Sequence, residues 1–270
     1  MLGHGPVEFC ADGRGPCVVG FHGFSGTASE LRPLLDRIAA AGYAVDGAVL
    51  PGHGTLPHLL QDVTFDQWVA AADDRLRRAQ SKYGSAVLLG FSLGSLVALQ
   101  VAIDRQGASG PAGLVLLGSA IRLGNPAFAV LALMDKLPQG PPDLYLVKAV
   151  PGDAVDTSTL ADLVTYDRHP MRAAVQVYRA GRRVRDAVGG VRCPTLILHG
   201  LRDRVCPWDN AAWLADHLGT RDASVHILEH SAHLLARDLD REAVAEHVLR
   251  FLGRFASASE RTPHGTASPG

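Results

Sequence analysis

Long apolar runs are missing from this chain, and none approaches the roughly 20 residues that a membrane-spanning helix needs. An excess of one charge is missing too. Lys and Arg number 26 against 27 Asp and Glu, for a formal net charge of −1. No block of like charge accumulates, so nothing favours nucleic acid or an anionic membrane as a partner. The basic stretches Arg75-Leu76-Arg77-Arg78 and Arg179–Arg185 are broken by apolar residues and read as solvated helix faces. Cysteine is scarce: the 4 thiols, at positions 10, 17, 193 and 206, are too few for a disulfide framework and lack metal-ligand spacing. Cys10 and Cys17 are close enough in sequence to bridge. No charged segment followed by an apolar one opens the chain, and the expected setting is a soluble, reducing, cytoplasmic one. Internal repeats are absent. What is present is a hydrophobic share of 47% over 270 residues, enough for one large α/β domain or two small ones.

Taken in order, residues 1–15 form a lead-in with at most a short strand near Val7–Cys10. Cys17-Val18-Val19-Gly20-Phe21 is a buried strand that breaks into the polar loop His22-Gly23-Phe24-Ser25-Gly26-Thr27. Thr27 to Glu30 offers capping groups for a helix that runs to about Ala41 with Leu31, Leu34, Leu35 and Ile38 on one face. A strand over Tyr43–Leu50 ends at Pro51-Gly52-His53-Gly54. A helix near Phe65–Lys82, a strand at Ala86–Gly90, a helix from Ser92 to about Asp104 and a strand at Leu114–Ser119 follow. Between 120 and 187 six prolines interrupt irregular apolar patches, with helical spacing returning near Met171–Arg185. Regular order resumes with a strand at Thr195–Gly200, a helix near Trp208–Leu218, a strand at Ser224–Glu229 and a helix near Arg241–Phe255. Residues 257–270 are rich in Ser, Thr, Pro and Gly and are expected to form a flexible tail. Apolar strands alternating with helices predict an α/β fold with a mostly parallel sheet covered on both faces.

The densest chemical signal is Gly90-Phe91-Ser92-Leu93-Gly94, set between an apolar strand and an Ala/Leu/Val-rich helix. A serine hydroxyl needs exposure, a base and a place for developing negative charge before it can act as a nucleophile. A sharp strand-to-helix turn exposes it. Glycines on either side allow the close backbone approach, and helix polarity aims backbone N–H groups, that of Leu93 among them, towards the serine. The pentapeptide alone is short and common. Its weight comes from the other loops that leave strand carboxyl ends, where parallel sheets bind ligands.

After the Thr195 strand the chain reads Gly200-Leu201-Arg202-Asp203-Arg204-Val205-Cys206-Pro207. Asp203 there either caps the turn or orients a base; Asp209 is a weaker candidate, in the first turn of the next helix. After the last strand comes Glu229-His230-Ser231-Ala232-His233. His233 is favoured as the base because small residues precede it, with His230 as runner-up. A histidine in that role accepts the serine proton while an aspartate fixes its tautomer. His22, His53 and His199 are expected to hydrogen-bond nearby backbone.

His22-Gly23-Phe24, Leu50-Pro51-Gly52-His53-Gly54, the serine pentapeptide, Leu198-His199-Gly200 through Asp203, and Ser231-Ala232-His233 occur here in the order found in the α/β-hydrolase superfamily. The chain resembles its bacterial carboxylesterases and monoacylglycerol lipases over about residues 16–255, most weakly over 120–165. The resemblance implies an α/β-hydrolase fold in one domain spanning 1–256, with a small cap insertion over about 120–187. It implies Ser92, Asp203 and His233 as catalytic residues, and the backbone N–H of Phe24 beside that of Leu93 as oxyanion donors. It implies no cofactor and no metal. Ser95 stands where the family often has glycine. The function so implied is hydrolysis of small-molecule carboxylic esters with an apolar acyl or alkyl part, through an acyl-enzyme intermediate. A thioesterase or acyltransferase would use the same triad. A carbon–carbon bond hydrolase, a peptidase or a catalytically idle binding protein would share the scaffold. Nothing in the sequence fixes the oligomeric state.

Overall fold

Aliphatic and β-branched runs too short for buried helices make the strands of this protein, described in a computed structural model over residues 8–124, 129–148 and 150–259. The strands are β1 (Phe9–Ala11), β2 (Arg14–Phe21), β3 (Tyr43–Ala48), β4 (Ala86–Phe91), β5 (Gly113–Leu117), β6 (Tyr145–Val147), β7 (Arg168–Pro170), β8 (Thr195–Gly200) and β9 (Ala223–Leu228). Seven of them form one sheet in the order β1-β3-β2-β4-β5-β8-β9. Only the edge pair β1·β3 is antiparallel. β6 and β7 pair separately, as an antiparallel ribbon.

The period of two along each strand sends alternate apolar side chains to opposite faces. Val18, Val87, Leu89, Val115 and Leu117 meet α1 (Arg32–Ala40) and α8 (Arg241–Ser259) through residues such as Leu35, Ile38, Val248 and Leu252. Val19, Leu88, Leu114, Leu116 and Ile197 lie in the opposite core. They pack with α3 (Phe65–Tyr83), α4 (Leu93–Asp104), α6 (Met171–Ala187) and α7 (Asn210–His217). α4 is buried on every side from Leu93 to Ala102, as its uninterrupted apolar composition requires. A capping box starts α3: Thr64 Oγ1 accepts from the Gln67 N–H, and Gln67 Oε1 accepts from the Thr64 N–H.

The stretch expected as an insertion at 120–187 divides in two. Ala173, Val177, Ala180 and Val184 of α6 belong to the main core, so α6 is an ordinary crossover helix between β5 and β8. The part before it, with the short helix α5 (Ala129–Met134) and the β6–β7 ribbon, packs against loops at the carboxyl ends of the strands. The Tyr166 N–H donates to Ser25 O at 2.9 Å, the Leu234 N–H to Asp153 O at 2.9 Å, and the Gly124 N–H to Val205 O at 3.0 Å. The ribbon escapes a reading from local pattern because β6 and β7 are both three residues long and far apart in the chain. α8 continues to Ser259, into the expected tail, because Ala256, Ser257, Ala258 and Ser259 are small and hold no helix breaker. The rest of that tail, 260–270, lies outside the described residues. Among the described residues no helix is long and apolar enough to cross a membrane. Cys10 and Cys17 do not pair; all four cysteines are free.

One buried carboxylate ties the segment over the strand ends to the loop that carries His233. Asp238, with no exposed surface, accepts from the Val155, Asp156, Ala232 and Leu239 N–H groups at 2.7–3.1 Å. Replacing it strands several buried donors, each worth ~1–3 kcal/mol when unsatisfied. Asp238→Ala is expected to lower the unfolding free energy by about 3 kcal/mol, measured by urea denaturation followed through tryptophan fluorescence.

Candidate active site

Ser92 occupies the turn between β4 and α4 with φ 53° and ψ −113°, a conformation L-residues avoid. The turn is held by the Ser92 N–H donating to Leu117 O at 3.0 Å and by the Ser95 N–H donating to Ser92 O at 3.1 Å. The Ser95 hydroxyl donates to the same carbonyl at 2.5 Å. A Cβ at Gly90 would fall 2.4 Å from Gly94 O, and one at Gly94 would fall 2.0 Å from Phe21 O. Both positions therefore exclude any larger residue, and the helix can start directly against β2 and β4.

The candidate acid and base follow β8 and β9, the last two strands of the chain. Asp203 follows β8, with its side chain fully buried. Its Oδ1 accepts from the Val205 and Cys206 N–H groups, both at 2.8 Å. Its Oδ2 lies 2.7 Å from His233 Nδ1. Burial alone would raise the Asp203 pKa, but the His233 charge and hydrogen bonds from His199 and His233 hold it well below the usual carboxylate range. Burial likewise pulls His233 down, yet the charge and hydrogen bond of Asp203, then Asp153 and Glu30, outweigh it and raise the imidazole above its ordinary value. The His233 ring sits 4.8 Å from that of Phe91, the residue before Ser92. Among the described residues Ser92 Oγ and His233 form no direct hydrogen bond; such contacts often close only around substrate. His230 faces outward instead. It is bound to Asp240 at 3.1 Å and its side chain is 61% exposed, and Asp209 pairs with Arg122.

The loop after β2 brings Phe24 to the same end of the sheet. Among the described residues, neither the Phe24 nor the Leu93 N–H has an acceptor, which leaves both donors for an anionic oxygen. The Gly23 N–H donates to Glu30 Oε2 at 2.7 Å, and Glu30 is itself buried. Sequence reasoning missed this carboxylate: the helical pattern around it gives no sign that an acid faces inward. Ser25, at φ 62°, lies 3.0 Å through its hydroxyl from His169 Nδ1. The His169 ring stacks on Phe24 with centroids 5.3 Å apart. His22 is no base, because Nδ1–H donates to Gly23 O at 2.8 Å, Nε2 accepts from the Leu50 N–H at 3.1 Å, and burial takes its pKa down to about 4. His53 bonds the carbonyl of Pro51 and is held well below the usual imidazole range by burial and then by His22. His199 bonds backbone as expected, its Nε2 lying 3.3 Å from Cys206 O, and the same nitrogen stands 3.0 Å from Asp203 Oδ2.

Asp203, Cys206 and His233 form the one cluster of metal-ligand types among the described residues, with donor atoms within 4.8 Å of one another. It suits a metal poorly. Burial, then the charges of Asp203 and Asp153, push the Cys206 thiol well above its ordinary pKa, so the thiolate a metal needs is disfavoured. A cavity of about 270 Å³ is lined by Ala120, Leu123, Ala132, Val177, Tyr178 and Arg185, from α5, α6 and the loop after β5. Phe24, Leu123, Met134 and Tyr178 pack around buried Leu131, Met171 and Val175 on the same side.

A family model described as serine aminopeptidase, S33, matches residues 14–240. A thermostable monoacylglycerol lipase of Bacillus sp. (strain H-257) is 26% identical, over 93% of this chain and 96% of its own. The monoglyceride lipase of Homo sapiens is 30% identical over 67% of this chain and 61% of its own. Among solved structures, one reported for the metagenome-derived lipolytic enzymes LipS and LipT superposes with a TM-score of 0.83 at 25% identity, covering 94% of this chain and all of the other. The architecture is the α/β-hydrolase fold.

A base must be neutral to accept a proton, and a raised pKa means that neutrality is lost at a higher pH than for free imidazole. Turnover is therefore expected to fall as pH drops through a value above ~6.5, the unperturbed imidazole pKa. Asp203→Asn should move that acid limb to lower pH and reduce kcat by about 10⁴. Profiles of kcat/KM against pH check both.

Proposed function

The chain belongs to the serine aminopeptidase S33 family, and on that premise we propose that it is a serine hydrolase of carboxylic esters, of the carboxylesterase or monoacylglycerol lipase type. One observation carries the reading. A serine held in a strained turn shares one end of the sheet with a buried carboxylate–imidazole pair 2.7 Å apart and with two backbone donors that have no partner among the described residues.

In the proposed reaction Ser92 Oγ attacks the ester carbonyl carbon as His233 takes the hydroxyl proton. The carbonyl oxygen, now anionic, accepts from the Phe24 and Leu93 N–H groups; losing one such donor typically reduces kcat by ~10²–10³. Collapse of the tetrahedral intermediate breaks the bond to the alkoxide, which leaves with the proton held by His233. Water then attacks the acyl-enzyme, gives its proton to His233, and releases the carboxylic acid and free serine. Asp203 fixes the tautomer and stabilises the imidazolium that forms in each half.

An ester with an apolar acyl or alkyl part suits the side chains around Phe24 and the neighbouring cavity. The similarity to lipases acting on monoacylglycerols supports the same class. Four free cysteines suit the reducing, cytoplasmic setting read for the chain.

Ser92→Ala is expected to abolish hydrolysis of p-nitrophenyl esters while leaving circular dichroism and the melting transition unchanged. Wild-type protein should cleave medium-chain p-nitrophenyl esters and monoacylglycerols faster than acyl-CoA thioesters or aminoacyl p-nitroanilides. A preference for thioesters would make it a thioesterase, and a preference for anilides a peptidase.

A further inference from the structure

His199 ends the run of apolar residues in β8, four positions before Asp203, and its side chain has no exposed surface. Nε2 lies 3.0 Å from Asp203 Oδ2 and 3.3 Å from the carbonyl of Cys206. Both neighbours are oxygens that only accept, so the ring proton resides on Nε2. Nδ1 is buried with no partner among the described residues, and carries the lone pair. Asp203 is then closely supplied: Oδ1 takes two backbone N–H groups, Oδ2 takes the His233 Nδ1–H at 2.7 Å, and the His199 Nε2–H, 3.0 Å from Oδ2, is divided between it and Cys206 O. An imidazole placed here only to fill space has no need of that geometry, and it leaves a nitrogen unsatisfied to achieve it.

We propose that His199 is a positioning residue for the ester hydrolysis, fixing the Asp203 carboxylate with a second imidazole N–H and limiting the negative charge that Asp203 presents to His233. The inference rests on the reading of Asp203 and His233 as orienting acid and base. The charge effect has a definite sign. A donor on Oδ2 spreads the carboxylate charge, and this loosens the hold on the His233 proton, which must be returned to the leaving group. The other groups facing His233 are Asp153 and Glu30, and the Cys206 thiol lies beside Asp203. None of these replaces the missing donor. Removing the His199 N–H therefore strengthens the imidazolium and moves the acid limb of kcat/KM to higher pH, opposite to the effect of Asp203→Asn.

Two amide substitutions separate a donor from a filler. Glutamine carries its amide nitrogen to about the place of imidazole Nε2, whereas asparagine stops near Nδ1, short of Asp203. His199→Asn is expected to lower kcat about ten-fold, the scale of one hydrogen bond to a charged group, with KM within about two-fold. Its acid limb should shift upward by about half a pH unit. His199→Gln should recover most of both losses. Nitrogen-15 spectra of imidazole-labelled wild-type protein should show His199 as the Nε2–H tautomer, a result that needs no variant to fold. An Nδ1–H tautomer overturns the proposal. So does equal loss in the Asn and Gln variants with an unmoved acid limb, or wild-type kinetics in His199→Asn. If Asp203→Asn turns over normally, the reading of the acid and base fails as well. If it is inactive while His199→Asn is unaffected, only the role of His199 is lost.

Discussion

The backbone of Ser92 cannot relax without losing the junction of β4 and α4. At φ 53° it sits where an L-residue is strained, and such strain persists only when the surroundings over-determine it. Here they do. Ser92 N–H is tied to β5, its carbonyl takes bonds from Ser95, and Gly94 brings α4 to a distance from Phe21 O that admits no side chain. The same constraint aligns the start of α4, so the Leu93 N–H lies free of any intrahelical acceptor. β4 is central in the sheet, flanked by β2 and β5, and the loops after β2, β5, β8 and β9 leave the same end of it.

Electrostatics on that end are graded. Asp203 is buried but fully supplied with donors, and so stays ionised. His233 is buried beside it and is raised by it. His22 and His53, equally buried but facing backbone carbonyls or each other, are pushed the opposite way. Three buried histidines thus divide by their partners, and of these His233 alone is raised. Glu30 accepts from the Gly23 N–H beneath the loop of Phe24 and helps to raise His233, while burial pushes its own carboxyl above the usual carboxylate range.

Strands and helices of the sheet were legible in the sequence because each carries a local signature: a short apolar run, a 3.6-residue stripe, a cap or a breaking glycine. Ser92, Asp203 and His233 were legible as residue types at strand ends, and the structure brings them to one end of the sheet. Features made by long-range pairing were not legible. The β6–β7 ribbon joins two exposed or mixed tripeptides, and α6, legible as a helix near Met171–Arg185, has a place in the main core that only its packing against α4 decides. His199 shows the same gap on a smaller scale. Its position four residues before Asp203 is a clue, but only the fold of the turn decides whether its ring meets the carboxylate or the backbone.

Covalent capture tests the central claim most directly. A fluorophosphonate probe reacts with a serine only where a base and oxyanion donors activate it. Intact folded protein should gain a single adduct, mapped by peptide mass spectrometry to Ser92. His233→Ala should slow its formation by orders of magnitude and prior denaturation should abolish it. No adduct on folded wild-type protein, or an adduct on another residue, would contradict the account.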